Sequence, residues 1–205
     1  MMNRRVWPRL GAASGMLYVV LILSADSALV SDGVGLVVEV LGLILFVPYL
    51  GCLFATLRSG EGEDGWLFAT AFGSGLIAVA VKLVSIVPVI AARGVEPGTP
   101  TEGALVAMSD ACFMLTLAPL GLLAAATSAL VLKTGVLPVL IGWTGAVTAG
   151  ALLVNSVFLD AEFGPAFLLF LLWTILTSAI LTRRAGAERT EGSTGPGSVR
   201  PEPVR

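Results

Sequence analysis

Three ionisable side chains stand inside otherwise apolar segments of this sequence: Glu39, Lys82 and Asp110. A charge within a bilayer is costly, so such groups face the interior of a helix bundle and pair with one another. An amine set between two carboxylates can grip a polar headgroup, hold a cation, or leave one carboxyl group to hand on a proton. Asn155, in a later apolar segment, adds a neutral donor and acceptor. These four residues form the candidate ligand-binding set, and Glu39 and Asp110 are also the candidate catalytic acids.

Other chemistry is pruned by what the chain lacks. It has no histidine, so no imidazole-ligated metal, Ser-His-Asp triad or histidine relay can be built from it. Its two cysteines, Cys52 and Cys112, lie in separate segments and form no Cys-x-x-Cys motif. They read as buried thiols, with a disulfide as the alternative. Glu61, Glu63 and Asp64 have no calcium-loop spacing and read as a solvated turn. No metal and no cofactor is implied. With a net charge of −2 the chain lacks the basic surface that nucleic acid requires.

The elements that must position the candidate residues are membrane helices. Apolar residues make up 56% of the 205 residues and charged ones 13%, against about 25% charged in average soluble chains. Mean hydropathy is +0.94. Six segments have the roughly 20 mostly apolar residues that a span needs: 10–30, 34–57, 66–92, 104–132, 136–159 and 163–182. Turn and charge signals separate them: Ser31-Asp32-Gly33, Ser59 to Gly65, Gly94 to Gly103, Lys133-Thr134-Gly135 and Asp160-Ala161-Glu162. The expected fold is an all-α polytopic bundle of six transmembrane helices over 1–184, followed by a disordered cytoplasmic tail over 185–205. An alternative reads residues 1–27 as a signal peptide cleaved near Ser24-Ala25-Asp26-Ser27. The small residues Gly11 and Gly15, four apart, favour a retained, closely packed first helix.

Charge orients the bundle. With a cytoplasmic N-terminus, the inner segments carry Arg4, Arg5, Arg9, Arg58, Lys133, Arg183, Arg184, Arg189, Arg200 and Arg205, and the outer segments carry only Arg93. Both termini are then cytoplasmic. Trp7, Trp66 and Trp143 fall near the cytoplasmic start of odd-numbered helices, as interfacial anchors do. Trp173 and the phenylalanines around it read as lipid-facing bulk.

Helix rise places the polar residues in depth. At 1.5 Å per residue, Glu39, Asp110 and Asn155 lie roughly 6–9 Å from the outer ends of their helices and Lys82 roughly 15 Å. Every strongly polar intramembrane side chain falls in the outer half, and the inner half reads as almost wholly apolar. This predicts a pocket open to the outside. Lys82 is long enough to snorkel towards both acids. The proline-freed carbonyls of Ile44 and Leu115, four residues before Pro48 and Pro119, would extend the polar site.

A parallel repeat of helices two–three and four–five is also legible. Glu39 precedes Pro48 by nine residues and Asp110 precedes Pro119 by nine. Gly65-Trp66 and Gly142-Trp143 open the following helices, and Lys82 loosely matches Asn155. Such repeats often carry a site at their interface.

The motif around Pro119 and Gly121, then Lys133-Thr134-Gly135 with Pro138, and Ile141-Gly142-Trp143 with Gly145, resembles a broad group of six-helix bacterial membrane proteins that share a domain of unknown function, common in high-GC bacteria. Arg183-Arg184 after a Trp-containing apolar helix, and the early run Arg9 to Gly15, add to the likeness. It covers about the C-terminal third of the chain. It implies a six-helix fold and no established activity, and it carries no catalytic residue across; the expected location is a bacterial plasma membrane.

Three functions follow from the candidate set. The first is a multi-pass protein holding a small, lipid-like ligand in the outer polar pocket. The second is a membrane-embedded enzyme, such as a terpene cyclase, using a carboxylic acid on an isoprenoid-like substrate. The third is a structural or regulatory subunit of a membrane complex. A buried ion-pair network that only fixes helix register is the structural alternative.

Overall fold

A computed structural model describes residues 7–25, 32–62, 65–157 and 164–191, with side chains described for 10–25, 33–62, 65–157 and 164–185. Six helices account for nearly all of it: α1 (Trp7–Ala25), α2 (Asp32–Glu61), α3 (Leu67–Ala92), α4 (Pro100–Thr134), α5 (Val139–Val157) and α6 (Gly164–Glu191). Five of them, α2 to α6, are long and apolar enough to cross a membrane. The apolar part of α1 with described side chains, Leu10–Ala25, is shorter. The all-α, multi-helix membrane bundle expected from the sequence is therefore present. One correction concerns the tail: α6 does not stop near Arg184 but runs on to Glu191. Ala185, Ala187, Glu188 and Arg189 are strong helix formers and carry the helix past its apolar part.

Local chemistry sets the helix ends. Thr99 caps α4, its Oγ1 accepting from Glu102 N at 3.3 Å, and Pro100 follows as the first helical residue. The Glu102 carboxylate accepts in return from Gly98 N at 2.6 Å. Gly135 ends α4 in the left-handed region (φ 66°), its N–H bonded to Val131 O, the usual glycine solution. Glu61 closes α2 and starts α3, its carboxylate accepting from Phe68 N at 3.0 Å and Leu67 N at 3.4 Å. Glu61 is thus a structural cap and not part of a solvated turn. Glu63 and Asp64 lie outside the described residues.

The helices pack as a closed ring in chain order. α1 meets α2, each helix meets the next, and α6 returns to α1; α2 also reaches across to α4 and α6. The core is aromatic at its centre, where Tyr18, Phe46, Tyr49, Phe170 and Trp173 stand in a connected series of ring contacts. Glycines set how closely the helices approach. A Cβ on Gly11 would lie 3.2 Å from Pro48 O and 3.3 Å from Cys52 Cβ, and one on Gly15 would lie 2.1 Å from Ser178 Oγ and 2.6 Å from Tyr49 Cδ2. The Gly11/Gly15 pair is therefore the seam where α1 enters the bundle.

One end of the bundle is basic. The last turns of α2 and α4 meet there, since a Cβ on Gly60 would touch Val136 and Thr134. Arg184 of α6 donates to Val136 O at the same place. Arg58, Lys133, Arg183 and Arg184 are all exposed at this end. The opposite end presents Arg93 beside Glu96 and Glu102.

Two expectations are corrected inside the bundle. Trp173 is not lipid-facing: it is 1% exposed, and its Nε1 donates to Ile141 O at 3.2 Å. Phe170 is buried with it. The half near the basic end is not almost wholly apolar either. Ser14, Tyr49, Thr127, Ser128, Thr174, Thr177 and Ser178 are buried there. Most of these hydroxyls stay inside by bonding to the carbonyl a turn earlier, as Thr174 does to Phe170 O and Ser128 to Ala124 O. Trp66 and Trp143, by contrast, are 68% and 63% exposed, as interfacial anchors should be.

Trp173→Phe removes the indole donor and leaves a small cavity in the core. It should lower the unfolding free energy by about 2 kcal/mol, one net hydrogen bond plus the lost packing. Thermal unfolding in detergent checks this; an unchanged midpoint would show that the Ile141 bond and the indole packing contribute nothing.

Candidate functional site

Lys82 sits in the middle of α3 and reaches Glu39 on α2. Its Nζ lies 2.7 Å from Glu39 Oε1, and the two side chains are 19% and 24% exposed. The same Nζ stands over the Phe113 ring of α4, 4.6 Å from its centroid. The ammonium is thus held between a carboxylate and an aromatic face, both of which attract a cation.

Asp110 does not join this pair. It is exposed, and among the described residues it makes no ion pair with Lys82. Helix rotation explains why. Ser109 faces α3, its Oγ donating to Ser85 O at 2.8 Å. Each residue turns about 100° around the axis, so Asp110 swings away while Phe113, four residues after Ser109, returns to the α3 face. Lys82 therefore meets α4 at Phe113, where the sequence reading expected a second acid.

Asn155 is also apart from the pair. It is buried on α5, and its Nδ2 has no hydrogen-bond partner. No α5 residue lines the space beside Lys82. Of the four expected site residues, the structure brings together Glu39 and Lys82 only. The proposed counterparts of Glu39 and Lys82 in the second half, Asp110 and Asn155, do not repeat their pairing.

The space beside the pair is a narrow, mostly aromatic cleft. Its walls come from five helices: Tyr18 of α1, Phe46 of α2, Lys82 of α3, Phe113 and Thr116 of α4, and Phe167 of α6. It encloses about 330 Å³ between atoms, of which only about 20 Å³ can take the centre of a water molecule. A slender group fits this shape and a bulky one does not. Phe113 and Phe167 meet edge to face at 5.4 Å and close one side.

Phe113 and Phe167 were missed by the sequence reading. A usable signal was present for Phe113, which lies three residues from Asp110 and so within one helical turn of a residue already singled out. Phe167 carried no such signal.

Comparison of the chain with family models, with curated proteins and with solved structures finds no match in any of the three.

Proposed function

We propose that this chain is a multi-pass protein of a bacterial plasma membrane, with both termini cytoplasmic, that holds a small lipid-like ligand at the Glu39–Lys82 pair. The polar end of the ligand meets the pair, and a slender apolar part enters the cleft of Tyr18, Phe46, Phe113 and Phe167. One observation carries this reading: Lys82, the cationic member of the ion pair, forms part of the wall of an aromatic cleft. The charge distribution supports the orientation, since exposed cations gather at the end where α2, α4 and α6 finish. The carboxylic-acid enzyme reading has less support, because the Glu39 carboxylate is paired with Lys82 and Asp110 is exposed and does not line the cleft.

The test is mass spectrometry of the full chain extracted with its native lipids. Wild type should carry a specific small molecule. Lys82→Met, which keeps the stem and removes the charge, should lower its occupancy about tenfold, the effect of about 1.4 kcal/mol of lost headgroup contact. Phe113→Leu should lower it as well. Retention at wild-type occupancy by both variants would overturn the assignment.

A further inference from the structure

The polar groups in the wall of the cleft narrow what its ligand can be. A lysine ammonium has three N–H donors and no acceptor. Glu39 Oε1 takes one of them at 2.7 Å, and the Phe113 ring attracts the same group from 4.6 Å. Lys82 lines the cleft and Glu39 does not, so a bound molecule meets the cation with the carboxylate set behind it. The other polar groups of the wall are the hydroxyls of Tyr18 and Thr116. Thr116 has already spent its donor on Cys112 O at 3.2 Å. Among the described residues no carboxylate stands in the wall. The strongest contact on offer is therefore a charged donor, and it calls for an acceptor on the ligand.

Charge narrows it further. Glu39 and Lys82 sum to zero, so an anionic or a cationic headgroup would leave one unpaired charge in an apolar setting, which is costly. A neutral acceptor takes a charge-assisted hydrogen bond and adds no charge. The lining also sets a direction. Ala78 and Val79 lie about one turn from Lys82 towards the basic end, and Leu120 lies two turns past Phe113 the same way. Beyond Lys82 the wall in that direction carries no further charge. With only about 20 Å³ open to the centre of a water molecule, one chain fits and two acyl chains do not. Resting on the assignment of ligand binding to this site, we infer that the ligand is a neutral, single-chain lipid whose polar end is a carbonyl. The carbonyl oxygen accepts from Lys82 Nζ, and the chain points towards the basic end. Charge excludes a fatty acid anion and a long-chain amine, and girth excludes a phospholipid.

The test presents the full chain, in nonionic detergent, with four probes of equal chain length: methyl myristate, myristate at a pH where it is ionised, tetradecylamine and tetradecane. Probe retained after gel filtration is counted by mass spectrometry. Wild type should hold methyl myristate about tenfold better than each of the others, the worth of one charge-assisted hydrogen bond. The ester carbonyl stretch of the bound probe should fall in frequency. Glu39→Leu/Lys82→Met, which strands neither charge, should lose this preference and the frequency shift together. Glu39→Gln should reverse the order, because the carboxylate of myristate can then take the place of Glu39 beside Lys82. A wild type that prefers myristate or tetradecylamine, or that retains no probe, would overturn the neutral-carbonyl assignment, as would an unchanged order in Glu39→Gln. Equal retention of every probe by wild type and by Glu39→Leu/Lys82→Met would overturn the underlying assignment of ligand binding to the pair.

Discussion

Gly15→Leu should prevent the bundle from assembling. The Cβ alone would overlap Ser178 Oγ at 2.1 Å and the Tyr49 ring at 2.6 Å and 2.9 Å. Ser178 can turn its hydroxyl aside, because that oxygen has no hydrogen-bond partner to give up. Tyr49 cannot. The clashing atoms are at the root of its ring, and the ring is fully buried against Phe46. Relief therefore requires α1 to move off α2 and α6 together. Gly15→Ala should already lower stability by about 3 kcal/mol, the upper part of the range for overpacked cores. Gly15→Leu, with three more carbons to place, should yield no folded monomer in mild detergent. Size-exclusion profiles and thermal unfolding would show this. Three helical glycines serve as controls, since a Cβ on Gly51, Gly73 or Gly150 meets nothing within 4 Å. Alanine there should be neutral or should stabilise by up to about 1 kcal/mol, the helix-propensity difference. A Gly15→Ala protein as stable as these controls would refute the seam at α1.

That seam was readable before the structure, and the reason is physical. In a membrane the lipid side and the core side of a helix are equally apolar, so hydropathy does not say which way a residue faces. Small residues do say it, because they are spent where backbones approach. Gly11 and Gly15 were legible on that ground. The end of α4 was legible too, since the left-handed Gly135 falls in the Lys133-Thr134-Gly135 break, whereas its start at Thr99-Pro100 lay hidden inside the stretch from Gly94 to Gly103 that reads as a connection. Trp173 shows the opposite case. By hydropathy alone it matches any lipid-facing aromatic residue, yet it is buried. The clue lay beside it, in Thr174, Thr177 and Ser178, three hydroxyl residues that a helix turns inward. Asp110 failed for a third reason. Its depth was estimated from helix rise, and depth carries no information about rotation. The exposed acid and the half-buried Phe113 sit within one turn of each other, and the packing of Ser109 on α3 decides between them.

Because Asp110 stands apart, Glu39 and Lys82 form a two-member system, and a double-mutant cycle can take it apart. Lys82→Met leaves the Glu39 carboxylate without its cation in an apolar setting; Glu39→Leu strands the ammonium. Each single change should lower stability by about 2 kcal/mol, short of the roughly 3–5 kcal/mol for a fully buried pair because the two side chains keep 19% and 24% exposure. Lys82→Met should be the milder of the two, since methionine keeps the stem's contact with Phe113. The double variant Glu39→Leu/Lys82→Met removes both charges and should return to within about 1 kcal/mol of wild type, because well-packed apolar replacements of buried pairs are often neutral. The resulting coupling is several-fold above the roughly 0.5 kcal/mol expected of independent sites. Unfolding curves in one detergent measure all four proteins. Additive losses would show that the 2.7 Å contact contributes nothing to folding. The double variant also separates the two roles of the pair. If Glu39 and Lys82 serve only to fix helix register, the restored bundle should bind whatever the wild type binds. If they read a ligand's polar end, it should be as stable as wild type and empty. A protein that refolds but no longer carries its ligand is the result that assigns the pair to binding.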